Sequence, residues 1–214
     1  MFPKSKPLVA CAALFALAAC AKDGDLDSTG GISVTRSACP AVGVPASTGD
    51  ITLFNPPSSR DARAMDVTAT ITNIRTNCGE SGSDIVSTST FDVQARRADA
   101  SGARQLVLPY FATVVRGGNV VVSKRVGQVT LNFADGEARA SAQGEGSAVI
   151  NRAAATLPED INARIVRKRK PGDADAAIDP MNDPTVRQAV ARASFELLIG
   201  FQLTGEQLQY NATR

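Results

Sequence analysis

The chain has 214 residues, with 23 basic and 21 acidic side chains and neither histidine nor tryptophan. Without histidine, the side chain whose ordinary pKa suits proton transfer near neutrality is missing, and Ser-His-Asp sets, Cys-His sets and the common zinc sites go with it. A near balance of charge likewise argues against nucleic acid as a partner, because that role calls for a clustered basic excess.

In chain order, the first feature is a leader. Lys4 and Lys6 precede residues 8–19, a run without charge that ends in small side chains, as a signal segment does. At about 1.5 Å per residue this run reaches roughly 18 Å, short of the ~30 Å hydrocarbon core, so it is not a permanent span. It closes with Leu17-Ala18-Ala19-Cys20: an apolar residue, two small ones, then cysteine. This stretch resembles the signal of bacterial lipoprotein precursors. The resemblance implies cleavage between Ala19 and Cys20, a diacylglyceryl group on the Cys20 sulfur and acylation of the new amino terminus. It also implies delivery to the outer membrane, facing the periplasm, because Ala21 stands where the inner-membrane retention signal would place aspartate. A lipid of several chains, at about 0.8 kcal/mol per buried methylene, anchors a protein durably. The alternative is an ordinary secretory signal with Cys20 as a bystander. No cofactor beyond the Cys20 lipid is implied, and loss of Lys4 and Lys6 leaves the mature charge balanced.

Residues 20–38 read as the lipidated cysteine and a polar, glycine-rich tether. A coil of that length has a root-mean-square span of about 24 Å, from ~5–6 Å times the square root of residue number. Alternatively, Ile32 and Val34 open a first strand. Residues 39–214 then form a single β-rich domain. Its two cysteines, Cys39 and Cys78, are most simply a disulfide in an oxidising compartment.

Period-two alternation marks the strands. Val67, Ala69 and Ile71 alternate with threonines, Phe91, Val93 and Ala95 with polar residues, and Val129, Leu131 and Phe133 repeat the scheme before Asp135-Gly136, a hairpin dipeptide. A second hairpin joins residues 106–115 to residues 120–122 through Gly117-Gly118-Asn119, with Pro109 suited to an edge or a bulge. Phe195, Leu197, Ile199, Phe201 and Leu203 share one face of a late strand. The pattern predicts a mainly β fold, an antiparallel immunoglobulin-like sandwich, with a closed barrel as the alternative. One or two short helices are expected. Asp183-Pro184 starts one, with Val186 and Val190 on one side, and Thr204 with Gln207 has capping-box spacing for another.

Chemistry-bearing motifs are few. Ser-x-x-Lys is missing from the mature chain, and Gly144-Glu145-Gly146-Ser147-Ala148 lacks the spacing of a nucleophile elbow and reads as a turn. Arg164, Arg167, Lys168, Arg169 and Lys170 form a basic strip. It reads either as a contact for an anionic lipid surface or, preferably, as a solvated strand end neutralised by the acidic loop behind it. That loop holds Asp173, Asp175, Asp179 and Asp183, weak candidates for calcium whose spacing does not fit an EF-hand; an ordinary acidic surface loop is the simpler reading. Glu159 and Asp160 are adjacent, which is no sign of the facing carboxylates a glycan-cleaving enzyme needs. The expected function is a non-catalytic interaction module tethered in the envelope, docking another envelope protein through a strand edge or loop face. Carriage of an apolar ligand between the sheets is the second reading, and a carboxylate-based envelope-glycan enzyme the third.

Overall fold

The alternating runs fold as the strands of two facing sheets. The computed structural model describes residues 37–167, 172–175 and 178–213, so the leader, Cys20 and most of the tether lie outside the described residues. The strands are β1 (Ala41–Gly43), β2 (Asp50–Phe54), β3 (Met65–Ser81), β4 (Asp84–Arg97), β5 (Arg104–Arg116), β6 (Val120–Phe133), β7 (Arg139–Asn151) and β8 (Phe195–Phe201). One sheet has the order β1-β8-β5-β6 and curls as a half-barrel; the other has the order β2-β3-β4-β7. The architecture is therefore a mainly β sandwich rather than a closed barrel. The chain crosses between sheets after β1, β4, β6 and β7, and the last three crossings set β4 beside β7 and β5 beside β8. The immunoglobulin arrangement sets strand B beside E and C beside F in the same way. One pair departs from the expected antiparallel scheme: β1 runs parallel to β8, with Val42 opposite Leu197.

The inward residues are those the alternation selects. Val67, Phe91, Val93, Val129, Leu131, Phe133, Leu197, Ile199 and Phe201 are all almost wholly buried, and each side chain of that size removed from water contributes about 1.5–3 kcal/mol. Two glycines make room for core side chains. A Cβ on Gly144 would lie 2.3 Å from Phe91 Cζ, and one on Gly146 would lie 3.0 Å from the Ala112 Cβ and Ile199 Cδ1. The segment from Gly144 to Ala148 is thus the middle of strand β7 and not a turn, its glycines serving close packing instead of chain reversal.

Strand β3 changes frame midway. Thr72 pairs with Asp92 but Arg75 pairs with Thr90, so one extra residue is inserted near Asn73, which holds φ at +52°, a backbone region asparagine tolerates. Asn73 Nδ2 donates to Asp92 Oδ2 (2.7 Å), and Arg75 Nε donates to Asn73 Oδ1 (3.0 Å). Before the bulge the inward positions are Val67, Ala69 and Ile71; after it they are Ile74 and Cys78, packed against the core. The shift turns Cys78 inward to bond Cys39, whose Cα lies 6.2 Å away. The bridge joins the residue leading into β1 of one sheet to β3 of the other.

Asp135-Gly136 does not close a hairpin of paired strands. Only Gly136 has positive φ (+79°), whereas the two-residue hairpin turn needs it at both positions. The segment forms a turn, Glu137 N–H donating to Ala134 C=O (3.1 Å), that carries the chain from one sheet to the other. Arg97 fastens this end of the sandwich. Its side chain is 2% exposed, its guanidinium donates to the carbonyls of Glu137 (2.9 Å), Ala100 (2.6 Å) and Ala134 (2.9 Å), and it stands 5.1 Å over the Phe133 ring.

Four short α-helices occur among the described residues, against the one or two expected: α1 (Arg152–Ala155), α2 (Glu159–Val166), α3 (Pro184–Arg192) and α4 (Gly205–Thr213). Both predicted starts are present. Asp183 accepts from Thr185 N–H (2.7 Å) with Pro184 at the first helical position of α3, and Thr204 and Gln207 exchange backbone-to-side-chain bonds (2.8 and 3.2 Å) ahead of α4. The α1 start rests on Asn151, which accepts from Ala153 N–H (3.0 Å). Ile161 of α2 packs with Val186 and Ala189 of α3 in a small cluster separate from the main core.

Candidate functional site

Among the described residues, the first half of β6 is an uncovered strand rich in valine. Val120, Val121, Val122 and Val126 are 57, 62, 55 and 60% exposed, and every residue from 120 to 126 is exposed. Ser123 and Arg125 keep the inward parity of Val129, Leu131 and Phe133, yet here none of the described residues covers that face. Among the described residues the strand is an edge, bonded to β5 alone.

The direction of its free main chain follows from one hydrogen bond. Gln202 N–H donates to Pro109 C=O (2.9 Å), so the main chain of Pro109 points to the β8 side of β5. By alternation Tyr110, Ala112 and Val114 point to β6 and bond their partners Gly127, Arg125 and Ser123. The N–H and C=O groups of Lys124, Val126 and Gln128 therefore point away from the sheet. Pro109 sits in a central strand and not at the edge or bulge expected of it; its missing N–H faces Gln202, just beyond the end of β8 at Phe201, so no bond to β8 itself is lost.

Beside this edge lies β7, the edge of the other sheet, and the two do not pair among the described residues. Tyr110 spans the seam. Its O–H donates to Glu145 C=O (2.7 Å), its ring meets Phe91 edge-on (5.0 Å), and the ring fills the space of a Cβ at Gly127, which would come 2.5 Å from Tyr110 Cζ. Two cations lie on the exposed half. Lys124 Nζ stands 5.2 Å from the Phe111 ring, and neither Lys124 nor Arg125 enters an ion pair among the described residues.

The residues singled out in the sequence lie elsewhere. Arg164 is in the last turn of α2 and Arg167 follows it, so the basic strip begins on a helix end and not a strand end. Arg164 donates to Asp183 and Arg167 to Asp175, which sets these two cations against the acidic loop. Lys168, Arg169 and Lys170 lie outside the described residues. Of the loop carboxylates, Asp179 caps a short 3-10 turn by accepting from Met181 N–H (2.8 Å) and Asp183 caps α3. The Arg164 guanidinium beside Asp183, with the Thr185 N–H, lowers its carboxyl to about 2. Asp173 and Asp175 stand in the same loop, and no group of three metal-ligating side chains occurs among the described residues. Glu159 and Asp160 are exposed in the first turn of α2, where negative charge suits the helix dipole.

The space between the sheets is filled by Phe91, Phe133, Leu131, Leu197 and Ile199. A surface hollow of about 350 Å³ lies outside it, beside β2 and α4, lined by Phe54, Arg60, Asp66, Glu206 and Tyr210. Arg60 ion-pairs with Glu206 (2.8 Å) across its mouth. Among the described residues no helix is long and apolar enough to cross a membrane.

The hairpin pattern places residues 120–122 in a strand but does not by itself show that the strand stays uncovered. The signal was available: three consecutive valines followed by Ser123-Lys124-Arg125 break the alternation, and a lysine in mid-strand is a mark of an edge. The fold and this edge define a β-sandwich with one open, partly apolar strand. No family model, curated protein or solved structure matches the chain.

Proposed function

We propose that the chain is a lipid-anchored lipoprotein of the bacterial cell envelope, held at the outer membrane through Cys20 and facing the periplasm, that acts without catalysis by docking another envelope protein along the β6 edge. The observation that carries this reading is the edge itself. Main-chain donors and acceptors at Lys124, Val126 and Gln128 are open to strand addition, flanked by valines that water disfavours. The leader and the Leu17-Ala18-Ala19-Cys20 signal support the anchor. Carriage of an apolar ligand draws no support from the filled inter-sheet space.

The test uses the full chain in cells. Cys20→Ala should release it from the membrane fraction, and a photo-crosslinking residue at Val122 should give an adduct with another protein that the same residue at Thr88, on the opposite sheet, does not. Unchanged membrane retention would remove the anchor. Equal labelling from both positions would remove the docking edge.

A further inference from the structure

On the reading that the β6 edge is a docking site, we infer the chemistry of its occupant: an extended segment of another protein with two adjacent carboxylates flanked by β-branched apolar residues, added as a fifth strand beside β6. Residues 120–126 offer a seat of about 23 Å, at roughly 3.3 Å per residue. Lys124 and Arg125 are consecutive, so their side chains stand on opposite faces of the strand. An incoming strand therefore meets one cation on each face, and neighbouring carboxylates answer both. On either side of the pair, Val120, Val121, Val122 and Val126 favour apolar partners; each cross-strand match of this kind contributes about 0.2–1 kcal/mol relative to alanine.

The same pair argues against a second copy of this chain. Antiparallel self-pairing centred on Lys124 sets lysine against lysine, and centring on Arg125 sets arginine against arginine. Registers shifted by a residue or two still gather four cations within about a Debye length of ~8–10 Å. Cations on an edge strand are a means by which sheets refuse their own copies, and here that refusal and the preference for an acidic strand share one cause.

The experiment titrates full-length protein in neutral detergent micelles against a labelled, end-blocked peptide, Thr-Val-Val-Asp-Glu-Val-Val-Thr, read by fluorescence anisotropy. Its near-palindromic order serves either strand direction. Two controls accompany it: the peptide with Lys-Lys in place of Asp-Glu, and acidic peptides N-methylated at alternate residues, which keep charge but lose ladder N–H groups. The acidic peptide should bind, the Lys-Lys peptide about tenfold or more weakly, as two exposed ion pairs allow, and N-methylation in the ladder frame should abolish binding. Lys124→Glu with Arg125→Glu should invert the peptide preference. Val126→Pro, which removes an outward N–H without touching the β5 ladder, should abolish binding while leaving the urea unfolding curve unchanged. Equal binding of acidic and basic peptides, indifference to N-methylation, or no binding of either overturns the inference. So does a concentration-dependent dimer that Val126→Pro dissolves, which would make a second copy the occupant. If the peptides fail while crosslinking at Val122 persists, the acidic strand is rejected and the docking edge stands; loss of crosslinking rejects both.

Discussion

Arg97 is the residue whose replacement tests the packing argument most severely. It is a cation 2% exposed that forms no direct ion pair among the described residues, balanced by three carbonyl oxygens at 2.6–2.9 Å and the face of Phe133, with the charge of Asp99 nearby. Hydrogen bonds that involve a charged group contribute about 1.5–3 kcal/mol each, and a cation over an aromatic face adds about 0.5–2 kcal/mol. Arg97→Met keeps most of the volume but leaves the carbonyls of Ala100, Ala134 and Glu137 without their donor. Full addition of the terms overstates the loss, because residues 98–103 and 134–138 can open and hydrate those oxygens. The expected destabilisation is about 3–4 kcal/mol. With a urea slope of about 2 kcal/mol/M for a domain of this size, the midpoint should fall by roughly 1.5–2 M at constant slope. Arg97→Lys, which keeps the charge but not the planar fork, should lose about half as much. If Arg97→Met unfolds within 0.5 M of the parent, the idea that a buried guanidinium fastens this end of the sandwich is wrong.

Three further outcomes follow from the same structure. Replacing Cys39 and Cys78 by serine should cost about 4 kcal/mol in the chain-entropy account of a loop closed over 39 residues, checked by urea unfolding under oxidising and reducing conditions, and the parent should show no free thiol from this pair. Gly144→Ala places a methyl 2.3 Å from the Cζ of a fully buried phenylalanine, and a thermal melt should report a loss of about 2–3 kcal/mol. The pH dependence is set by carboxylates alone. Asp183 (beside Arg164), Asp66 (beside Arg104) and Asp99 (beside the Ser101 N–H) all lie below the ordinary 3.8 when folded. Each contributes its full stabilisation above the ordinary carboxylate range and loses it as pH falls below 3.8, in the case of Asp183 towards about 2, while the urea midpoint should stay level from about pH 5 to 8, where histidine would titrate in other proteins. A change of midpoint inside that interval would contradict the assignment.

The strands were legible where one face meets the core. Val67, Ala69 and Ile71 or Phe195, Leu197 and Ile199 announce themselves because burial on one side imposes period two, and the caps of α3 and α4 were legible because Asp183-Pro184 and Thr204 with Gln207 act through bonds within four residues of themselves. Illegible features depend on distant partners. Gly144 and Gly146 look like turn residues until Phe91 and Ile199 arrive from other strands, and Asp135-Gly136 carries the same dipeptide whether the following strand pairs or crosses to the other sheet. The parallel pairing of β1 with β8 joins segments more than 150 residues apart, so no local pattern encodes it. For the candidate edge, residues 120–122 were visibly strand and residues 123–126 were not; the exposure depends on the absence of a neighbour, which no residue of the strand can declare by itself.

The bridge between Cys39 and Cys78 also decides how this domain bears mechanical load. A pull on the chain from its N-terminal side reaches Cys39 before it reaches β1, a strand of three residues on the rim of its sheet that would peel under modest force. The covalent bond passes that pull into β3, which is bonded to β4 from Val67 to Ser81. Because the bulge at Asn73 turns Cys78 inward, tension enters through the interior of the sandwich, where strands must shear together instead of unzipping one pair at a time.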